Sequence, residues 1–166
     1  MIFVTVGTHE QPFNRLVECV DKLVETGKIN EEVFIQTGYS TYEPKYCKWS
    51  KLLPYQDMVQ KVQDARIVIT HGGPSSFIMP LQIGKIPIVV PRQKIYSEHV
   101  NNHQLDFCHE VEKRMGNIIV ADEENLQEII NNYSSIVSNK QYQNDSNNTK
   151  FCEKIEKMVG TMFGEI

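Results

Sequence analysis

The 166-residue sequence is short of several things, and each shortage removes a class of protein. It has no apolar run near the ~18–20 residues needed to cross a bilayer, so nothing in it reads as a membrane span. Its 17 Lys and Arg, set against 21 Asp and Glu, form no dense block, and the net charge is −4. That argues against a nucleic-acid groove and against a polybasic lipid anchor. Cysteine is sparse: Cys19, Cys47, Cys108 and Cys152 show no CxxC or Cys/His metal spacing. A chain this long needs no disulfide framework, so buried thiols in a reducing compartment are expected. Neither Walker A nor GxGxxG is present, which disfavours an ordinary ATPase or a dinucleotide dehydrogenase. Met1 leads straight into the strand-like Ile2–Val6 with no secretory signal, so sequons at Asn132, Asn144 and Asn147 read as chance and a cytosolic chain is expected.

What is present suits one globular domain, with 40% hydrophobic residues to fill a core. Ile2–Val6, Val33–Thr37, Ile67–Thr70, Ile86–Val90 and Asn117–Ala121 are short, β-branched runs, the pattern of strands covered on both faces. Between them, helical spacing recurs from about Pro12, over Tyr55–Ala65, Phe77–Ile83, His99–Arg114 and Glu123–Val137. Residues 39–54 are ambiguous, with a strand around Trp49–Leu53. The alternation predicts an α/β, Rossmann-like parallel sheet with helices on both faces, spanning residues 1–137. Residues 138–150 hold eight Ser, Asn or Gln and read as a polar linker. Phe151, Ile155, Met158, Val159 and Met162 then mark one apolar face of a terminal helix over 151–166. That helix either folds back on its own domain or reaches a second protein.

In such sheets ligands bind beyond the carboxyl ends of the strands. There the sequence offers Gly7-Thr8-His9-Glu10-Gln11 and His71-Gly72-Gly73-Pro74-Ser75-Ser76. Glycines allow close backbone approach, and Ser75 or Ser76 capping the next helix would suit a phosphate. The same turn also serves as a plain strand-to-helix connection. After Pro91, Arg92, Glu98, Asn102, His103 and Gln104 could bond a polyhydroxylated ligand, or form a solvated loop. A zinc site on His99 and His103 lacks a third ligand.

The string Ile67–Ser76, then Leu81, Gly84–Pro91 and His103-Gln104, resembles the glycosyltransferase family 28 C-terminal domain, the nucleotide-sugar-binding half of a GT-B enzyme. Val4–Thr8 and Gln36-Thr37-Gly38 match in order and spacing, so the resemblance covers residues 1–135. It is nearest to stand-alone subunits of split enzymes. These are the soluble subunit of the eukaryotic dolichol-linked N-acetylglucosamine transferase and, more so, PssE-like and capsular β-1,4-galactosyltransferase subunits of bacteria. The resemblance implies a UDP-sugar donor, no metal and no cofactor. It implies diphosphate contacts from Gly7–Thr8 and Gly72–Ser76, and sugar contacts from His103 and Gln104. Many members carry a ribose-binding glutamate where this chain has Met79, so either another residue holds the ribose, with Glu98 the candidate, or nucleotide affinity is weaker in this subunit.

The resemblance further implies that the acceptor half is a separate membrane-anchored protein, which carries the lipid-linked saccharide and usually the catalytic base. This chain would then be a donor-binding catalytic subunit in exopolysaccharide or capsule synthesis, held at the inner membrane face by its partner. Galactose, glucuronate and N-acetylglucosamine are all open as the sugar. His9 is an outside candidate for a catalytic role, because its loop faces the cleft. The alternative is a non-catalytic subunit that enhances a partner transferase.

Overall fold

The structure, a computed structural model, describes residues 1–140; the linker expected from residue 141 and the helix expected over 151–166 lie outside the described residues. Six strands form one sheet: β1 (Ile2–Thr5), β2 (Val33–Gln36), β3 (Lys48–Ser50), β4 (Ile67–His71), β5 (Ile88–Val90) and β6 (Ile119–Val120). All adjacent pairs are parallel, in the order β3-β2-β1-β4-β5-β6. The helices are α1 (Asn14–Glu25), α2 (Tyr55–Asp64), α3 (Pro74–Gln82), α4 (His103–Met115) and α5 (Leu126–Asn139). This is the expected Rossmann-like architecture, with the strand order reversing between β1 and β4.

Alternation along the strands sorts the core into two layers. Ile2, Val4, Ile67, Ile69 and Ile88 face α1 and α5, where Leu16, Val17, Leu126 and Ile130 bury against them. Phe3 and Val68 face α2 and α3, and Val89 meets Phe77 of α3 and Cys108 of α4. Cys19, Cys47 and Cys108 are free thiols, the last two buried. Among the described residues no helix is long and apolar enough to cross a membrane.

Three expectations need correction. The helix expected over His99–Arg114 begins only at His103. Side chains before it compete for the backbone: Asn102 Oδ1 accepts the Lys94 N–H at 2.8 Å, and Asn101 Oδ1 accepts that of His103 at 3.2 Å. The result is a 3₁₀ turn at Lys94–Tyr96 and a loop with Ser97 at φ 58°. The ambiguous stretch supplies an edge strand two residues shorter than Trp49–Leu53, shifted to Lys48–Ser50. Finally, α5 runs to Asn139, two residues into the expected linker.

Two polar anchors on α1 place the segment before β3. Asn14 Oδ1 accepts the N–H of Thr41 and Tyr42 at 2.9 and 3.1 Å. Asp21, fully buried, accepts from the Tyr42 hydroxyl and the N–H groups of Lys45, Tyr46 and Cys47 at 2.8–3.0 Å. Burial alone would raise the Asp21 pKa; the bonds from Lys45, Tyr46 and Tyr42 outweigh it and leave the carboxyl below its ordinary value.

Candidate functional site

The loops after β1 and β4 meet at the switch point, and His71 is the contact between them. Gly7 turns there at φ +75°, and a Cβ on it would lie 2.3 Å from His71 Nε2. A Cβ on Gly73 would lie 2.2 Å from His71 Cε1. The imidazole therefore occupies the space that side chains at both glycines would need.

Bonds inside the protein fix the state of this ring. Its Nδ1 accepts the Gly73 N–H at 3.0 Å, so the ring proton of the neutral form sits on Nε2. Nε2 then donates to Ser76 Oγ at 2.9 Å. Burial, and secondarily the charge of Arg92, pushes the His71 pKa down to about 4, so the ring is neutral near pH 7. With its oxygen accepting from His71, Ser76 has its own proton to give to a further acceptor.

Helix α3 begins here, but neither serine caps it as expected. Gly73 is the N-cap with no side-chain bond, and Pro74 occupies the first turn. The Gly73 N–H goes to His71 and the Ser76 N–H to Gly73 O at 3.0 Å. What this end presents is the Ser75 N–H and the two hydroxyls.

A cavity of about 510 Å³ opens beside this end. Its polar side holds Thr5, Gly7, Thr8, His9, Gln36, His71, Ser75 and Ser76. Its apolar wall is Leu53, Tyr55, Met58, Val62 and Met79. No carboxylate lines it. The Leu53–Val62 wall escaped the sequence reading, and Thr5 and Gln36, although within matched motifs, are not among the expected site residues.

The remaining site candidates lie elsewhere. Gly72 packs behind the turn, where a Cβ would meet Cys108 Sγ and Gln104 Cβ at 3.0 Å. Arg92 is 1% exposed and spent on carbonyls: Nη1 donates to Gln11 O at 2.8 Å and Nη2 to Val6 O at 2.9 Å. Burial lowers its pKa to about 10. It ties the β1 loop to the residues after β5 and does not line this cavity. Glu98, the ribose candidate, is bonded by Arg15 at 2.9 and 3.0 Å and by the Gln93 N–H at 3.0 Å. That commitment, away from the cavity lining, removes it from the ribose role. Gln104 is buried with Oε1 accepting the Arg92 N–H at 3.2 Å, and Asn102 shapes the loop.

His103 joins His99 and His9 in a row, with ring centroids 4.5 and 5.2 Å apart. His99 precedes α4, so the helical i,i+4 zinc geometry does not form. Among the described residues no group of three or more His, Cys, Asp or Glu is placed to hold a metal ion. His9 Nδ1 accepts the Gln11 N–H at 3.1 Å, so its neutral ring presents Nε2–H, a donor rather than a base.

The description of one family, the glycosyltransferase family 28 C-terminal domain, matches residues 1–159. The chain belongs to this family. Human UDP-N-acetylglucosamine transferase subunit ALG13 is 31% identical over 121 residues, 68% of this chain and 10% of that protein. The mouse counterpart is 31% identical over 122 residues, again 10% of its length. The family 28 domain described here thus spans about a tenth of those relatives. In fold it is similar to the glycotransferase of kitacinnamycin, with TM-score 0.60, 15% identity, and coverage of 81% of this chain and 34% of that one. SnogD from Streptomyces nogalater gives TM-score 0.54 and 14% identity, with coverage of 96% and 43%. Both are glycosyltransferases, and the sheet corresponds to one part of each.

Proposed function

We propose that this chain is the donor-binding catalytic subunit of an inverting, two-component glycosyltransferase that uses a UDP-sugar. The observation that carries the reading is the cavity at the switch point, which joins an uncharged, half-apolar chamber to the Ser75–Ser76 end of α3. A nucleoside fits against Leu53, Tyr55, Met58 and Met79, with its diphosphate taking the Ser75 N–H and the hydroxyls of Ser75 and Ser76. As the bond to the sugar breaks, charge builds on the departing diphosphate, and these fixed donors stabilise it. The row of His9, His99 and His103 beside the rim is where the sugar would be met.

Inversion needs a base on the acceptor hydroxyl. No carboxylate lines the cavity and His9 is set as a donor, which supports a base supplied from another polypeptide. The relatives named as subunits support the same division of labour. The partner in this reading is a membrane-anchored protein that brings a lipid-linked saccharide, as in exopolysaccharide or capsule assembly, and holds this chain at the membrane face. Galactose, glucuronate and N-acetylglucosamine are the donors to assay.

The test is titration of the full chain with UDP by calorimetry, followed by assay of the three UDP-sugars with and without a co-expressed partner. UDP binding alone and turnover only with the partner are expected. Vigorous turnover by the chain alone would overturn the two-component reading, and failure to bind UDP would favour the enhancer alternative.

A further inference from the structure

The floor of the cavity holds a polar side chain that the fold does not fully use. Gln36 ends β2 and is 1% exposed, yet it borders the cavity. One end of its carboxamide is anchored: Thr5 Oγ1 donates to Gln36 Oε1 at 2.6 Å. Thr5 Oγ1 itself accepts the Gly7 N–H at 3.2 Å, so its hydroxyl proton is the one given to Gln36. The other end, the Nε2 amino group, bonds to no partner among the described residues, and it is not one of the fully sealed unpaired atoms. The amino group is therefore open to the cavity, where an acceptor on a bound molecule could take it without displacing any bond of the fold.

We propose that Gln36 reads the base of the nucleotide, donating from Nε2 to the O4 carbonyl of uracil and rejecting cytosine. The proposal rests on the nucleotide reading above and goes further by assigning a residue to base choice. Position argues for O4. Gln36 lies on the second strand from β4, whose following turn carries Ser75 and Ser76. Two strand spacings are ~9–10 Å, a reach that suits a nucleoside with its phosphate end at the serines and its base at the floor. C4 lies across the pyrimidine ring from the glycosidic N1, so the C4 substituent arrives deepest. In uracil that substituent is a carbonyl, which accepts from Nε2. In cytosine it is an amino group, which sets donor against donor and leaves both unpaired. The absence of charged groups in the lining suits a neutral ring.

The test is calorimetry on the full chain with UDP and CDP, for the wild type, Gln36→Leu and Gln36→Glu. Leucine keeps most of the volume without hydrogen-bonding groups, and glutamate keeps the shape without the N–H. The wild type is expected to prefer UDP by about tenfold, and both variants to lose that preference through weaker UDP binding. CDP affinity should stay within about twofold in Gln36→Leu and rise in Gln36→Glu, whose carboxylate accepts from the cytosine amino group, and CDP binding also reports that the variants are folded. An unchanged UDP-to-CDP ratio in the variants overturns the base-reading role and leaves the nucleotide reading standing. Absence of UDP binding by the wild type overturns both.

Discussion

His71 spends both ring nitrogens inside the protein, and this changes what its motif means. A histidine followed by two glycines reads as a group that touches a ligand. Here the ring braces two loops and hands its Nε2 proton to Ser76, so that Ser76 becomes the donor at the cavity. Replacing Ser76 with Ala should weaken UDP binding about tenfold while leaving uridine binding unchanged, measured by calorimetry with both ligands. Equal losses for the two would place Ser76 at the nucleoside instead. The glycines follow from the same ring. Gly73→Ala would drive a methyl to 2.2 Å from His71 Cε1 and should cost about 1–3 kcal/mol, read from denaturant unfolding. Arg92 carries a different lesson. Its charge and place in the motif suggested ligand contact, but its guanidinium serves carbonyls of Val6 and Gln11. Arg92→Met should therefore lower stability by about 3–5 kcal/mol, with UDP affinity of the folded protein little altered.

Among the elements, the strands and most helices were legible because their signals are local. A run such as Ile67–Thr70 is buried on both faces wherever it sits, and its composition says so. The start of α4 was not legible, since it depends on Asn101 and Asn102 choosing backbone donors over helix continuation. The cavity wall was hidden for a related reason. Leu53, Tyr55 and Met58 form it only because α1 fixes the segment before β3, and the groups responsible, Asn14 and Asp21, lie over twenty residues from their partners. The glycine turns were found from sequence because glycine is informative alone; Gln36 stood in a matched motif but its role was not legible, because its meaning comes from Thr5 beside it in the sheet. Asp21→Ala should release residues 42–47, cost about 3 kcal/mol, and raise hydrogen exchange at Lys45, Tyr46 and Cys47 above the rest of the sheet.

Taken as a whole, the molecule ties its stability to the same imidazole that arranges its site. In the unfolded chain His71 has the ordinary value of 6.5, and in the folded protein about 4. Between those values the unfolded state binds more protons, so folding stability rises with pH and is lost as pH falls from 6.5 toward 4. The slope this one group can contribute approaches about 1.4 kcal/mol per pH unit. Asp21 acts in the adjoining window with the same sign: its folded pKa lies below 3.8, so its contribution holds above that value and fades at lower pH. Denaturant unfolding of the full chain at pH 7, 5.5 and 4.5 should show falling stability across the range. In His71→Asn, which removes this titrating imidazole, the slope between pH 6.5 and 4.5 should flatten while the fall below pH 4 persists. An unaltered slope in that variant would mean that His71 is not the proton acceptor, and the bracing of the two loops would then need another explanation.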